Sequence, residues 1–432
     1  MNADIPEGIR PLFRMESAND PITLYEGLIS IRLENGPHFE GHGRVYWSWL
    51  PRRNIMFECT VTEINPFHFV FGKNVVVHLH GDGVDTKGFT THQSPSEDGV
   101  MIRGLLTSGL QKLDGQISRV RFHVANLNDY VGLWIQHSES DTGDAGRLTL
   151  SNDPWRITID ALAENGPKNR SAEYMGGYFI THVGVVERID GNCFELSDVQ
   201  ELLDKVRLFL GFVEARHCPP LLCAGETDTG DVVSYDYKAL TVSTLRRRSN
   251  WCPPQLRFDT MTSVWAGFDK LNSLFGNLLT VLISYLVTAN AQADQSQRII
   301  FAATTLEMLF WKMVNKDGKL MDADKLRLSD KIRLLLIFSD ISGNIPNDFT
   351  KLAAAANEKG HKWVDGPHAI TDIRNSFTHA RNMESVLDYD ALFVHQAVEL
   401  ALWYAETALL KYVGVVEDVD WRISRNARLG EY

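Results

Sequence analysis

The sequence predicts an α+β protein, in which a β-rich N-terminal region is followed by an all-α bundle. In residues 1 to about 165, short alternating or apolar runs are separated by Gly, Pro, Asn and Asp, which is typical of strands and turns. From about residue 255 onward, apolar residues recur at steps of three and four, which is typical of amphipathic helices. The 432 residues are enough for two or three domains with sizeable cores.

The β-rich region is expected to form a sandwich or a barrel-like sheet. We place its first strands at residues 29–33, 55–61, 74–80, 117–124, 147–150 and 155–159. Another strand at 177–186 leads into a helix at 197–214, with Ser197 as the expected N-cap. The stretch 246–254 contains arginines and then prolines, and indicates a junction. The predicted domains are therefore an N-terminal region (1–248), a helical domain (255–415) and a C-terminal tail (416–432).

Two long helices frame the predicted bundle. Between Gln295 and Lys316, one apolar seam is formed by Ile299, Ala303, Leu306, Phe310 and Met313. A C-terminal helix keeps the same steps through Ala391, Val394, Val398, Ala401, Ala405, Ala408 and Tyr412. Shorter helices are expected at 329–338 and 346–358. The apolar stretch 274–287 is too short to span a bilayer of about 30 Å, so we expect a buried helix and no membrane partner.

Composition and charge restrict the function classes. The hydrophobic content of 44% and the charged content of 23% are those of an ordinary globular protein. Five cysteines without zinc-binding spacing and a polar N-terminus favour a cytoplasmic location. The net charge is −12, but from Arg246 onward the 22 basic residues balance 22 acidic ones. The acidic N-terminal region is thus a poor binder of a phosphate backbone, whereas the neutral helical domain can bind RNA through a local basic cluster.

The stretch 372–381 contains the residues with the clearest chemical potential. A turn at 365–367 places a proline where a helix can begin, and Ile370, Ile373 and Phe377 then recur on one apolar face. Asn375 and His379 lie one turn apart and roughly opposite that face, with Arg374 nearer its edge. On spacing alone, a solvated helix face that carries Arg, Asn and His is an equally good reading.

The pattern Arg374-Asn375-x-x-x-His379 resembles the R-N-x-x-x-H form of the motif that marks the HEPN superfamily, whose members are small helical bundles and include many ribonucleases. The order of a β-rich region followed by such a bundle resembles the ApeA-like abortive-infection proteins, which act in bacterial anti-phage defence. The resemblance implies a HEPN helical bundle and a metal-independent endoribonuclease that cuts cellular RNA, such as tRNA, as a homodimer. It also implies a regulatory or sensing role for the N-terminal region, with a phage-derived trigger as its partner.

Metal-independent RNA cleavage by 2′-hydroxyl attack needs a base, an acid and positive charge near the phosphate. His379 can act as acid or base near neutral pH, Arg374 offers a fork for phosphate oxygens, and Asn375 can hold the imidazole or a phosphate oxygen. One chain supplies one such histidine at the motif, so a second acid or base would come from a second copy. We expect Glu307 to support Arg374, and Arg381 and Lys362 to bind substrate. No cofactor or metal is expected.

Two other readings stay open. Some HEPN modules are thought to be non-catalytic and to bind a nucleotide or dimerise, although an intact set of Arg, Asn and His argues against this. The second reading is a metal-dependent hydrolase, because His78, His80 and Asp82 form H-x-H-x-D at the end of an apolar strand. The bland interpretation of that pattern is two histidines on one exposed face of a half-buried strand.

Overall fold

The computed structural model describes residues 5–33, 36–62, 70–137, 143–163, 176–245, 250–253, 257–291, 294–318, 320–357, 363–379, 391–415 and 422–424. The chain divides into two compact units. The N-terminal unit comprises Met1–Val206 and Cys218–Arg246, and the helical unit comprises Arg207–His217 and Arg247–Tyr432. The first is rich in strands and the second is helical, so the predicted α+β order, with β before α, is confirmed.

Six antiparallel strands at the start of the N-terminal unit close into a barrel, in the order β1-β2-β3-β6-β5-β4. They are β1 (Ile22–Leu33), β2 (His38–Ser48), β3 (Asn54–Val61), β4 (Asn74–Leu79), β5 (Val84–Ser96) and β6 (Gly99–Leu106). Burial alternates strictly along β3 and β4, so that every second side chain fills the interior. Trp47 and Phe57 are fully buried there. Gly43 allows β2 to approach β3, since a Cβ atom at Gly43 would lie 2.0 Å from the Glu58 carbonyl oxygen.

A second sheet of eight antiparallel strands follows, in the order β7-β14-β13-β8-β12-β11-β10-β9. Its strands are β7 (Leu110–Lys112), β8 (Arg119–Ala125), β9 (Leu133–Gln136), β10 (Gly143–Asn152), β11 (Trp155–Ala161), β12 (Ile180–Arg188), β13 (Pro220–Glu226) and β14 (Val232–Tyr237). Every residue of β13 is buried, so both faces of that strand are covered. The sequence predicted fewer strands, because Thr and Gly fill several inward positions of the barrel, as Thr86 and Thr90 do in β5.

Helix α1 (Gln200–Glu214) is inserted between β12 and β13, and it begins later than the sequence predicts. A 3₁₀ turn over Leu196–Val199 precedes it, and the N-cap of that turn is Glu195 rather than Ser197. The Glu195 side chain accepts from the backbone N–H of Asp198, and the Asp198 side chain accepts from the backbone N–H of Glu195. This capping box has the role that the sequence predicts for the Ser197 hydroxyl. The last part of α1 belongs to the helical unit, where the Phe209 ring meets Trp265 at 5.2 Å and Phe268 at 5.8 Å.

The helical unit is built around its longest helix, α8. Its described helices are α2 (Phe258–Phe275), α3 (Leu278–Asn290), α4 (Gln295–Leu309), α5 (Leu328–Phe338), α6 (Thr350–Asn357), α7 (Gly366–Thr378) and α8 (Ala391–Val413). The predicted seam of α4 is confirmed, since all five of its residues are buried, and the helix continues as a π-helical turn over Phe310–Val314. α8 is buried on all sides from Gln396 to Leu410 and packs against α2, α4, α6 and α7.

The apolar stretch at 274–287 is interrupted at Gly276, whose φ of 54° ends α2 before α3 begins. In the described part of the chain, no single helix has the length and apolarity to cross a membrane, although the bent pair α2–α3 passes that test by length and composition. Residues 422–424 form a short helical turn in the stretch that the sequence assigns to a tail. Arg422 is fully buried, so this stretch contributes to the core of the helical unit.

Candidate active site

The position of α7 is fixed at its N-terminus. Asp365 is the N-cap and accepts from the His368 backbone N–H at 2.9 Å, and its carboxylate also binds the Arg333 guanidinium of α5 at 2.6 Å. A Cβ atom at Gly366 would lie 2.2 Å from the Tyr404 hydroxyl of α8, so only glycine allows this close approach. Ile370 and Ile373 then bury the apolar face of the helix. The N-terminal end of α7 is therefore held firmly by α5 and α8.

Arg374 and Asn375 lie in the last turn of α7, and both are half-buried. The Arg374 Nη1 atom donates to the Asn375 side-chain oxygen at 3.1 Å. The Arg374 Nε atom is buried and has no hydrogen-bond partner among the described residues. An N–H group buried without an acceptor costs about 1–3 kcal/mol, so this guanidinium is poised to take an acceptor oxygen.

His379 is placed differently from its prediction. The helix ends at Thr378, and His379 is the C-cap residue with extended backbone angles of φ −111° and ψ 112°. Its backbone N–H still donates to the Asn375 carbonyl oxygen at 3.0 Å, so the two residues remain neighbours. The side chain is exposed to solvent. The sequence motif thus lies at the end of one helix, with a half-buried guanidinium in its last turn and an exposed imidazole at its C-cap.

Glu307, which was predicted to support Arg374, is paired with a different cation in the structure. The Glu307 carboxylate receives the Lys331 ammonium of α5 at 2.6 Å, and that ammonium also lies 4.9 Å from the centre of the Trp311 ring. Lys331 is only 9% exposed, and a cation that is so little hydrated requires a carboxylate more than Arg374 does. The two other predicted substrate-binding residues, Lys362 and Arg381, lie outside the described residues.

The three residues of the metal-hydrolase interpretation, His78, His80 and Asp82, each bind a different partner in the structure. His78 Nδ1 lies 2.7 Å from an Asp85 oxygen, and His80 Nε2 lies 2.6 Å from the Ser30 hydroxyl. Asp82 accepts instead from the Tyr235 hydroxyl at 2.7 Å. Within the described ranges, no three or more His, Cys, Asp or Glu side chains are grouped in a way that could hold a metal ion. The rings of His78 and His80 lie 4.6 Å apart on one face, which agrees with the non-metal interpretation of this pattern.

A buried ionic cluster in the helical unit was missed by the sequence analysis. It joins side chains from α3, α4, α8 and the turn at 422–424, namely Asn290, Arg298, Glu399, Glu406 and Arg422. Arg422 binds Glu399 at 2.5 Å and Glu406 at 2.7 Å, while Arg298 binds Glu399 at 2.9 Å. Burial raises the pKa of Glu406, and Arg422 opposes that rise. The sequence feature that could have indicated this cluster is the pair Glu399 and Glu406, seven residues apart within the apolar helix α8.

With these positions established, comparison with known proteins adds one relationship. The YopA central domain family matches residues 113–248, which hold most of the eight-stranded sheet and α1. The YopA C-terminal domain family matches residues 272–426, which hold α3 to α8 and the motif. The chain is similar to YopA. It is 25% identical over 413 residues to the SPbeta prophage-derived uncharacterized protein YopA of Bacillus subtilis (strain 168), covering 92% of this chain and 90% of that protein. No solved structure matches the chain.

Proposed function

We propose that the protein is a metal-independent endoribonuclease of HEPN type that cuts cellular RNA, such as tRNA. The observation that carries the proposal is the grouping of Arg374, Asn375 and His379 at the C-terminal end of α7. A guanidinium that is held in place and an imidazole that is open to solvent are two of the groups that phosphodiester cleavage by the 2′-hydroxyl requires.

Within this proposal, the three residues have different tasks. His379, which is exposed, moves the proton of the attacking 2′-hydroxyl or of the departing 5′-oxygen. Arg374 binds the phosphate oxygens, on which negative charge grows in the transition state. The amide oxygen of Asn375 accepts from Arg374, so Asn375 is a positioning residue that orients the guanidinium. A phosphate oxygen would also provide the acceptor that the buried Arg374 Nε lacks among the described residues.

The reaction needs both an acid and a base, and the motif provides one histidine. A second copy of the chain would supply the other proton-transfer group, so the proposal includes a homodimer in which two α7 ends face each other. The biological role that we propose is abortive infection, with the N-terminal region as the sensor of a phage-derived trigger. The similar protein from Bacillus subtilis is described as prophage-derived, which supports a link to phage biology.

We expect cleavage of total RNA by the purified full-length protein to persist in an excess of EDTA. The reason is that the proposed chemistry uses only side chains of the protein. His78→Ala and His80→Ala should leave the rate unchanged, since these histidines bind Asp85 and Ser30 in the N-terminal unit. The measurement is the rate of RNA loss, with and without EDTA, on a denaturing gel. Activity that EDTA abolishes and zinc or manganese restores would instead favour the metal-hydrolase reading. RNA that stays intact under every condition would favour a non-catalytic nucleotide-binding or dimerisation module.

A further inference from the structure

A cleft of about 520 Å³ lies on one face of the eight-stranded sheet, far in sequence from the HEPN motif. Four neighbouring strands, β8, β12, β11 and β10, supply its floor, and residues 7–10 of the N-terminal segment form one wall. Its lining contains four arginines but only two acidic residues, namely Arg10, Arg119, Arg121 and Arg147 with Glu7 and Glu187. The volume is within the range of about 300–1,000 Å³ that is usual for small-molecule sites.

Three of these arginines are bound by two buried carboxylates, those of Glu226 and Asp160. Glu226 is fully buried, and its carboxylate accepts from Arg119 Nε at 2.6 Å and from Arg121 Nη2 at 2.8 Å. Asp160 is 1% exposed and binds Arg147 at 2.7 Å. Two guanidinium groups thus share the single charge of Glu226, and Glu187, which pairs with Arg119 across β8 and β12, adds a second carboxylate at the surface of the cleft.

Arg119 has the hydrogen-bonding capacity to receive a ligand. Its side chain is 32% exposed, and among the described residues its bond to Glu226 uses only Nε, so its two terminal nitrogens are available. A pair of terminal guanidinium N–H groups matches two oxygens of a phosphate. Arg121, which is 13% exposed, is held on both sides, since it also donates to the Arg10 carbonyl oxygen. The rigid Arg121 and the more open Arg119 together make a preorganised anion site.

The wall of the cleft is equally well fixed. The Gly8 backbone N–H donates to the Gln136 carbonyl at 2.9 Å, the Ile9 N–H to Asp160 at 2.8 Å, and Arg147 Nη2 to the Glu7 carbonyl at 2.9 Å. Across the floor, the paired residues Thr158 and Val185 place one hydroxyl and one apolar patch beside the arginines. The cleft therefore offers cationic, hydrogen-bonding and apolar contacts within one small volume.

We propose that this cleft binds a phosphorylated small molecule of nucleotide size. The guanidinium groups of Arg119 and Arg121 would bind its phosphate, and Glu187 and Thr158 would receive its hydroxyl groups. A polyanion such as RNA is disfavoured, because the chain up to residue 245 carries the whole net charge of −12. A single phosphate, by contrast, is small enough to interact with the terminal nitrogens of Arg119 alone.

The test is calorimetric titration of the full-length protein with inorganic phosphate, AMP and ribose 5-phosphate, with adenosine as the unphosphorylated probe. We expect the two phosphate esters to bind more tightly than adenosine. Arg119→Gln should weaken their binding about ten-fold or more, which is the usual effect of losing a charge-assisted hydrogen-bonded pair. The matched control is Arg188→Gln. Arg188 is also at a strand end, is 26% exposed and is paired with an aspartate, Asp190, but it does not line the cleft.

A second variant keeps the proposal testable if Arg119→Gln does not fold. Glu187→Gln removes a negative charge from the rim and should tighten the binding of inorganic phosphate several-fold. Equal affinities in wild type, Arg119→Gln and Glu187→Gln would overturn the proposal, as would the absence of any binding of phosphate esters at millimolar concentration. Tighter binding of an RNA oligonucleotide than of AMP, with the same dependence on Arg119, would also overturn it in favour of an RNA surface.

Discussion

His379→Ala is expected to lower the rate of RNA cleavage by a factor of about 100 or more, because general acid–base catalysis by one side chain contributes about 10²–10⁴. The side chain is exposed at the C-cap of α7, so its removal leaves the packing of Ile370 and Ile373 intact. Thermal unfolding of the variant should match that of the wild type. We also expect wild-type protein to arrest the growth of cells that express it, and this arrest should disappear together with cleavage.

The control for that variant is His42→Ala, which removes another exposed imidazole, from the barrel. We expect it to cut RNA at the wild-type rate. Arg374→Ala should resemble His379→Ala, whereas Asn375→Ala should cost less, since it loosens the guanidinium without removing it. Full cleavage by His379→Ala would show that the candidate active site is wrongly assigned.

The largest effect on stability is expected for Arg422→Ala, which should lower the free energy of unfolding by about 3–5 kcal/mol. Arg422 is fully buried between Glu399 and Glu406, and truncation leaves two carboxylates with Arg298 as their nearest cation in the cluster. The matched control is Arg257→Ala, an exposed arginine paired with Asp259, for which a change of about 0–1 kcal/mol is expected. Urea titration monitored by circular dichroism measures both.

The loss in Arg422→Ala should depend on pH. Burial already raises the pKa of Glu406, and removal of Arg422 takes away the interaction that opposes the rise. A carboxyl group whose folded pKa is raised contributes its stability below its unfolded pKa and loses it as the pH rises through the folded value. The destabilisation should therefore be larger at pH 7 than at pH 5. A loss of under about 1 kcal/mol at both values would mean that the cluster does not hold the turn at 422–424 in place.

The buried residues of the helical unit could be predicted where they form one face of a single helix. In α4 the apolar steps of three and four name buried residues directly, because one face repeats with the helical period. In α8 the same steps indicate one face only, whereas the helix is buried on all sides from Gln396 to Leu410, and Ala391, the first residue of the predicted series, is exposed. The closed barrel was not predictable in this way. In β2 the inward positions include Gly41 and Gly43, where the neighbouring strand approaches too closely for a side chain. These glycines interrupt the alternation of hydrophobic and polar residues by which a strand is recognised in a sequence.

Contacts between distant residues explain the other differences. Lys331 reaches Glu307 from the next helix, and the sequence does not indicate which cation is desolvated and so in need of a carboxylate. Likewise, Arg422 closes a cluster that begins at Asn290, 132 positions earlier. The motif at 374–379 was visible because its residues are neighbours in the chain. The end of α7 just before His379, which exposes the imidazole, became apparent only from the backbone angles.

The chemical nature of the RNA ends tests the central claim most directly. Attack by the 2′-hydroxyl, with His379 as the proton-transfer group and Arg374 on the phosphate, leaves a 2′,3′-cyclic phosphate and a 5′-hydroxyl. RNA cut by the purified full-length protein in EDTA should carry these ends, as determined by mass spectrometry of the fragments. Fragments with 3′-hydroxyl and 5′-phosphate ends, the products of an activated water molecule, would contradict the proposed mechanism.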